Sequence, residues 1–149
     1  MSSAAVLNSD QLTKLPSVLM VDDQPEVCHL LSLLAGEQYQ CIEACSSDAA
    51  MQILCDIDVD VIVSDLRMPG MNGIELLRRA QSVRPNAARI LISGYSESDD
   101  IIESINQGHI LYFIRKPFER RTIQAILQQA AQHSQLLQDP RASLRNSPA

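Results

Sequence analysis

The sequence predicts an α/β protein in which one parallel sheet carries helices on both faces. Five short apolar runs alternate along the chain with five segments of helical periodicity. The run Val61–Val63 contains no polar residue, which is typical of a strand buried on both faces. Parallel strands require crossover connections, and right-handed crossovers are strongly preferred. The carboxyl ends of all five strands should therefore meet at one edge of the sheet.

The first half of the chain supplies two strands and two helices. Strand one is predicted at Ser17–Val21, an apolar run that ends in two acids. Pro25 suits the first turn of the helix that follows, and Gly36 lies near the end of that helix. Four leucines form its predicted apolar face: Leu30, Leu31, Leu33 and Leu34. Strand two is predicted within Tyr39–Cys45, and side-chain oxygens at positions 46–48 can cap the second helix.

Strand three leads into an acid and a sharp turn. The apolar run that begins at Asp60 ends at Ser64 and Asp65. The chain is then broken by three residues that disfavour regular structure, namely Pro69, Gly70 and Gly73. A third helical pattern begins at Ile74 and stops before Pro85.

The rest of the chain continues the alternation of predicted strands and helices. Strand four is predicted at Arg89–Ser93 and the fourth helix at Asp100–Gln107, just before Gly108. Strand five is predicted at Ile110–Ile114. The last helix has apolar residues on one side at Ile123, Ile126, Leu127, Ala130 and Leu137.

Composition indicates one globular domain in the cytoplasm. The chain has 149 residues, of which 46% are hydrophobic and 20% charged, and residues 1–16 lack the pattern of a secretory signal. The net charge of −6 argues against direct binding to nucleic acid or to an anionic membrane. We expect a flexible N-terminal arm over 1–16, the folded domain over 17–137, and a tail or linker over 138–149.

The cysteines and histidines are predicted to be structural. We interpret the cysteines as small buried hydrophobic residues at Cys28, Cys41, Cys45 and Cys55. A zinc site is the less favoured alternative, because the sequence offers no second pair of ligands at a suitable spacing. The histidines are expected on the surface or partly packed: His29, His109 and His133.

Polar residues collect at the predicted strand ends. Strand one delivers Asp22 and Asp23, strand three Asp65, strand four Ser93 and strand five Lys116. Three converging carboxylates repel one another, and Mg²⁺ resolves that repulsion while keeping waters that a phosphate can replace. In phosphoryl transfer, Asp65 can act as the nucleophile while Lys116, the Ser93 hydroxyl and the metal receive the phosphoryl oxygens. Taken singly, each acid and the serine could instead cap a helix or begin a turn, and the lysine could simply be solvated.

Four motifs together resemble the receiver domain of two-component response regulators. They are Val21–Asp23, Ser64–Gly73, Ile92–Gly94 and Lys116–Phe118, and the resemblance extends over roughly Ser17–Gln135. It implies a flavodoxin-like (βα)5 fold with strand order 2-1-3-4-5. It also implies phosphorylation on Asp65 by a histidine kinase or phosphotransfer protein.

The resemblance further implies how the site is built. Asp23, Asp65 and the main-chain carbonyl of Arg67 would hold Mg²⁺, and Asp22 would act largely through a metal-bound water. The Lys116–Pro117 bond would be cis, which the sequence alone shows only to be possible. Such a domain is not an enzyme in the usual sense, since it catalyses only its own phosphorylation and dephosphorylation.

The resemblance also implies a conformational switch. Phosphate on Asp65 would draw Ser93 toward it, and the aromatic ring of Phe113 would move inward. The surface that changes comprises helix 4, strand 5 and helix 5, and it would serve a homodimer, an output domain or a downstream protein. Arg67 and Tyr95 would flank the path of water to the phosphoryl group, which predicts slow self-hydrolysis.

Two questions stay open from the sequence. The segment Ile105–Ile110 resembles receivers joined to HD-GYP phosphodiesterases or to hydrogenase-type transcriptional regulators, so it indicates two output classes.

Two other functions compete with that of a receiver. A haloacid-dehalogenase-like phosphatase uses similar groups but needs an Asp-x-Asp motif after strand one, which Asp22-Asp23 does not provide. The other competitor is an interaction module that works without phosphorylation.

Overall fold

The structure is a computed structural model, and it describes residues 15–94 and 99–138. The predicted N-terminal arm up to residue 14, the predicted tail from residue 139 and Tyr95 lie outside the described residues.

Five parallel strands form one sheet in the order β2-β1-β3-β4-β5, as predicted. Their bounds are β1 Ser17–Val21, β2 Gln40–Ala44, β3 Val61–Asp65, β4 Ala88–Ser93 and β5 Tyr112–Arg115. The three central strands, β1, β3 and β4, are buried throughout. Such burial accounts for their nearly continuous runs of Val, Ile and Leu.

Helices connect successive strands and one follows the last strand. Their bounds are α1 Pro25–Ala35, α2 Ser47–Asp56, α3 Gly73–Val83, α4 Asp99–Asn106 and α5 Arg120–Gln138. Pro25 occupies the first turn of α1, and the Ser46 hydroxyl accepts a hydrogen bond from the Ala49 N–H at the start of α2, as the sequence indicates. None of the helices in the described part combines the length and the apolar character needed to cross a membrane.

The sheet separates two hydrophobic cores, which confirms the prediction of helices on both faces. Val18 and Met20 face a core completed by α1 and α5, whereas Leu19 and Val21 face a core completed by α2, α3 and α4. The alternation follows from the period of two along a strand. Because both faces are covered, the carboxyl edge of the sheet is where polar side chains can gather.

Several local expectations were wrong. Strand β5 begins at Tyr112 rather than Ile110, because the N–H groups of His109 and Ile110 donate to the Ser104 carbonyl at the end of α4. In α1, only Leu31 is fully buried among the four leucines of the predicted apolar face. Leu30 and Leu33 are 45% and 59% exposed, so the buried stripe is narrower and consists of Cys28, Leu31 and Ala35.

The prediction of four buried cysteines holds only for Cys28. Cys41 is half-buried, whereas Cys45 and Cys55 are exposed, the first directly after β2 and the second on the outer side of α2. Within the described residues, no cysteine belongs to a group that could hold a metal. The histidines lie as expected, His29 being exposed and His109 and His133 partly buried.

Candidate functional site

Strand register brings the predicted residues to one place. Val21 pairs with Ser64, so the residues that follow them, Asp22 and Asp65, lie side by side at the carboxyl ends of β1 and β3. Asp65 pairs with Ile92, and Ser93 lies one residue further along β4. The N–H of Lys116 donates to the Ser93 carbonyl at 3.0 Å, which fixes the residue after β5 beside the end of β4.

Asp22, Asp23 and Asp65 form a compact acidic cluster. One carboxylate oxygen from each lies within 4.8 Å of the others. Asp22 and Asp65 are buried, at 2% and 8% exposure, whereas Asp23 is exposed and opens the cluster to solvent. The Asp22 Oδ1 also accepts a hydrogen bond from the Gln24 N–H at 2.9 Å, immediately before α1. Asp22 therefore stabilises the turn before α1, whose N-cap residue Gln24 has no side-chain capping bond, and also belongs to the acidic cluster.

The electrostatics of the cluster favour an added cation. Burial is the main cause that raises the pKa of Asp22, and the charges of Asp65 and Asp23 raise it further. The Gln24 N–H and the charge of Lys116 act in the opposite direction without cancelling the rise. Three carboxyl groups converge beside one ammonium group, so a further positive charge is favourable there, and their oxygen donors suit a hard divalent ion such as Mg²⁺. The acidic cluster thus fits a metal site.

Lys116 contacts the central acid directly. Its Nζ lies 2.7 Å from Asp65 Oδ1, and the two side chains are 36% and 11% exposed. The Lys116–Pro117 peptide bond is cis. The ammonium group thus pairs with a carboxylate oxygen, and it is exposed enough to contact an incoming anion.

A tight loop follows Asp65. The Leu66 N–H donates to the Ile92 carbonyl at 3.1 Å, and the Gly73 N–H donates to the Leu66 carbonyl at 2.8 Å, so the loop is closed where it leaves β3. Gly73 packs directly on the Asp65 main chain, and a Cβ there would lie only 2.1 Å from the Asp65 carbonyl oxygen. The sequence predicts a chain break at Gly73 but not this close approach.

The other predicted residues lie around this centre. Ser93 is buried at 2% exposure, and the Arg67 side chain is exposed. Phe113 pairs with Leu91 and is partly buried against the core that α4 completes. Sequence reasoning missed Ser47, whose hydroxyl donates to the Met71 carbonyl at 2.6 Å. The only signal in the sequence is the serine pair at 46–47, and helix capping explains that pair equally well.

The fold and the acidic site define a receiver-type signalling domain. Residues 18–128 match the family model described as the response regulator receiver domain, and the chain belongs to this family.

Sequence relatives are longer regulators. The chain is 37% identical over 105 residues to the hydrogenase transcriptional regulatory protein HoxA of Cupriavidus necator, covering 70% of this chain and 22% of that protein. It is 31% identical over 132 residues to the transcriptional regulator NtrC of Escherichia coli, covering 88% and 28%. The chain thus spans about a quarter of the length of these relatives.

A solved structure agrees over nearly the whole domain. The signal receiver domain of an HD domain-containing protein from Pseudomonas fluorescens is 30% identical, with a TM-score of 0.80 over 90% of this chain and 99% of that one. The relatives thus include a hydrogenase transcriptional regulator, one of the two classes indicated by the segment before β5, and the structural neighbours include a receiver from an HD domain-containing protein.

Proposed function

We propose that this domain accepts a phosphoryl group on Asp65, with Mg²⁺ bound, and thereby switches an interaction surface. One observation carries the proposal. Asp65 lies 2.7 Å from the Lys116 ammonium group and within 4.8 Å of both Asp22 and Asp23 at the carboxyl edge of the sheet.

The chemistry follows from the roles these groups can take. A carboxylate oxygen of Asp65 attacks phosphorus, the bond from phosphorus to the donor atom breaks, and the donor leaves with that electron pair. Lys116 then exchanges its carboxylate partner for a phosphoryl oxygen, and the Ser93 hydroxyl donates to another. Preorganised donors of this kind stabilise the charge that spreads over the phosphoryl oxygens.

The proposed metal ligands are Asp23, Asp65 and the main-chain carbonyl of Arg67, with Asp22 acting through a bound water. Mg²⁺ supplies positive charge on the phosphoryl oxygens and offsets the repulsion among the acids. The Gln24 N–H holds the Asp22 carboxylate in place, and from there Asp22 would orient such a water. Burial of Asp22 and Asp65 keeps this charge interaction strong.

The lifetime of the phosphoryl group is proposed to be long. The exposed Arg67 side chain is proposed to flank the route by which water reaches the phosphorus, and the resemblance assigns the same role to Tyr95, which lies outside the described residues. Arg67→Ala should shorten the half-life of the acyl phosphate, measured as loss of label after removal of the donor. An unchanged half-life in Arg67→Ala and in Tyr95→Ala would contradict the assignment.

The output is proposed to run through Ser93 and Phe113. Movement of Ser93 toward the phosphate makes room for the Phe113 ring, and this changes the surface formed by α4, β5 and α5. Ile102 and Ile105 expose apolar side chains on α4 of that surface, at 49% and 41% exposure. The partner is an output domain, a downstream protein or a second copy of the chain.

The donor is proposed to be a histidine kinase or phosphotransfer protein that covers an apolar groove beside Lys116. The groove has a volume of about 480 Å³ and is lined by Val27, Leu30, Lys116, Pro117 and Phe118. Lys116 lines this groove and also contacts Asp65, so a protein seated in the groove would lie beside the proposed acceptor.

Two exposed leucines of α1 give a matched test of that groove. Leu30→Asp places a charge in the groove, whereas Leu33→Asp places one elsewhere on the same helix. We expect Leu30→Asp to slow transfer from an autophosphorylated histidine kinase that labels the wild type, by about tenfold or more, as expected when a charge is placed in an apolar contact. Labelling by acetyl phosphate should not change in either variant. Equal slowing in both variants would contradict the role of the groove.

Incubation with labelled acetyl phosphate and Mg²⁺ tests the function itself. We expect at most one phosphoryl group per chain on the wild type and none on Asp65→Asn. Sustained turnover of the donor without accumulation of label would indicate a phosphatase. A wild type that stays unlabelled would indicate a module that works without phosphorylation.

A further inference from the structure

The loop that follows Asp65 is attached to the rest of the fold at more than its two ends. Its ends are closed by the hydrogen bonds from Leu66 to Ile92 and from Gly73 to Leu66. A third hydrogen bond comes from another element: the Ser47 hydroxyl on α2 donates to the Met71 carbonyl at 2.6 Å. This bond joins residues that are 24 positions apart in the chain.

The Ser47 hydroxyl is not needed to cap α2. Ser46 does that, because its side chain accepts a hydrogen bond from the Ala49 N–H at 3.0 Å. Ser47 is 3% exposed, so its hydroxyl must find a partner within the protein, and Met71 provides it. The two adjacent serines therefore do different things, and only one of them contacts the loop.

The middle of the loop is an exposed turn between anchored residues. Pro69 and Gly70 are exposed, and Gly70 adopts a φ of +76° with no atom near the position of a Cβ. Met68 anchors one side by burying its side chain at 8% exposure. On the other side, the Met71 side chain is partly buried against the same core, and the Ser47 hydroxyl holds the Met71 main chain.

We propose that Ser47 is a positioning residue for the metal-binding loop. By holding the Met71 carbonyl, it fixes the main chain between Leu66 and Gly73, which includes the Arg67 carbonyl. This inference rests on the proposed function for its consequence, since that carbonyl is a proposed ligand of Mg²⁺. Groups that orient metal ligands affect affinity even though they do not touch the ion.

The test compares Ser47→Ala with Ser46→Ala. In the metal-free protein, amide exchange at Gly73 should become faster in Ser47→Ala and stay unchanged in Ser46→Ala. The affinity for Mg²⁺, measured by titration calorimetry, should fall about threefold to tenfold in Ser47→Ala, as expected for the loss of one hydrogen bond. Ser46→Ala should lower the melting temperature through loss of its cap and leave Mg²⁺ affinity unchanged. Ser47→Thr, which keeps a hydroxyl, should bind Mg²⁺ more tightly than Ser47→Ala.

Three results would overturn the inference. They are unchanged Gly73 exchange and Mg²⁺ affinity in Ser47→Ala, equal losses of affinity in the two alanine variants, or equal losses in Ser47→Thr and Ser47→Ala. Should Ser47→Ala prove too unstable to measure, the comparison of wild type with Ser47→Thr by Gly73 exchange decides the question, because a retained hydroxyl must keep that amide protected. Labelling of the wild type by acetyl phosphate is scored separately, so failure of the proposed function is distinguished from failure of the role of Ser47.

Discussion

Gly73→Ala should damage the site although it adds only a methyl group, because Gly73 packs directly on the Asp65 main chain. The added Cβ would lie 2.1 Å from the Asp65 carbonyl oxygen, 2.9 Å from its carbon and 3.0 Å from Leu91 Cδ1. The first distance is about 0.9 Å short of the 3.0 Å below which real Cβ contacts are essentially never seen. The main chain at Asp65 or at Gly73 must therefore move.

The movement has a cost in stability and a cost in function. Asp65 cannot yield easily, because it pairs with Ile92 in β4 and the next N–H donates to the Ile92 carbonyl. Overpacking of this kind typically costs about 1–3 kcal/mol of unfolding free energy. A shift of about 1 Å in a reacting group can reduce the rate about 100-fold. We therefore expect Gly73→Ala to lose both stability and most of its phosphorylation rate.

Gly108→Ala is the matched control. Gly108 has a φ of +80° with no atom within 4 Å of the position that a Cβ would take, and it lies at the opposite edge of the sheet, after α4. Alanine there should cost about 1–2 kcal/mol of backbone strain and leave phosphorylation unchanged. Urea unfolding and the initial rate of labelling by acetyl phosphate measure the two effects. The reasoning is refuted if Gly73→Ala keeps the wild-type stability and rate, or if Gly108→Ala loses its rate equally.

Three further predictions concern single residues. Asp22→Asn removes a buried charge whose pKa burial raises, so the metal-free variant should melt at a higher temperature while its Mg²⁺ affinity falls about tenfold or more. Because the folded-state pKa of Asp22 lies above its unfolded value, the metal-free wild type should lose stability as pH rises through that folded-state pKa, and unfolding curves of Asp22→Asn should lack this contribution. Burial raises the pKa of the Cys28 thiol to about 12, so iodoacetamide at pH 8 should label exposed Cys45 and spare Cys28. Mass spectrometry identifies the labelled cysteine, and rapid labelling of Cys28 would contradict its burial. Phe113→Ala should leave phosphorylation of Asp65 intact but weaken phosphorylation-dependent assembly, and unchanged assembly in a beryllofluoride titration followed by sedimentation would contradict the switch.

Much of the fold could be predicted because local and global signals agree. The run Val61–Val63 is apolar because β3 is buried on both faces, and Pro25 begins α1 because its fixed φ suits a first turn. The strand ends could be placed because the polar residues that follow the apolar runs mark where each strand leaves the core. These signals are short-range, so one sequence is enough to detect them.

What escaped prediction depends on contacts that hydrophobic periodicity does not mark. The start of β5 was misplaced because the Ser104 carbonyl draws the following chain into the end of α4. The exposure of Leu30 reflects the narrow contact of α1 with the sheet, which periodicity alone cannot measure. The approach of Gly73 to Asp65 and the bond from Ser47 to Met71 depend on how the loop after β3 folds back on that strand and on α2. No local pattern encodes them.

The most direct test of the central claim is to locate the phosphoryl group. Reduction with borohydride converts an aspartyl phosphate into homoserine, whose position tandem mass spectrometry identifies. After incubation with acetyl phosphate and Mg²⁺, we expect homoserine at position 65 in the wild type and at no position in Asp65→Asn. Modification at Asp22 or Asp23 with Asp65 unmodified, or no modification at all, would contradict the account.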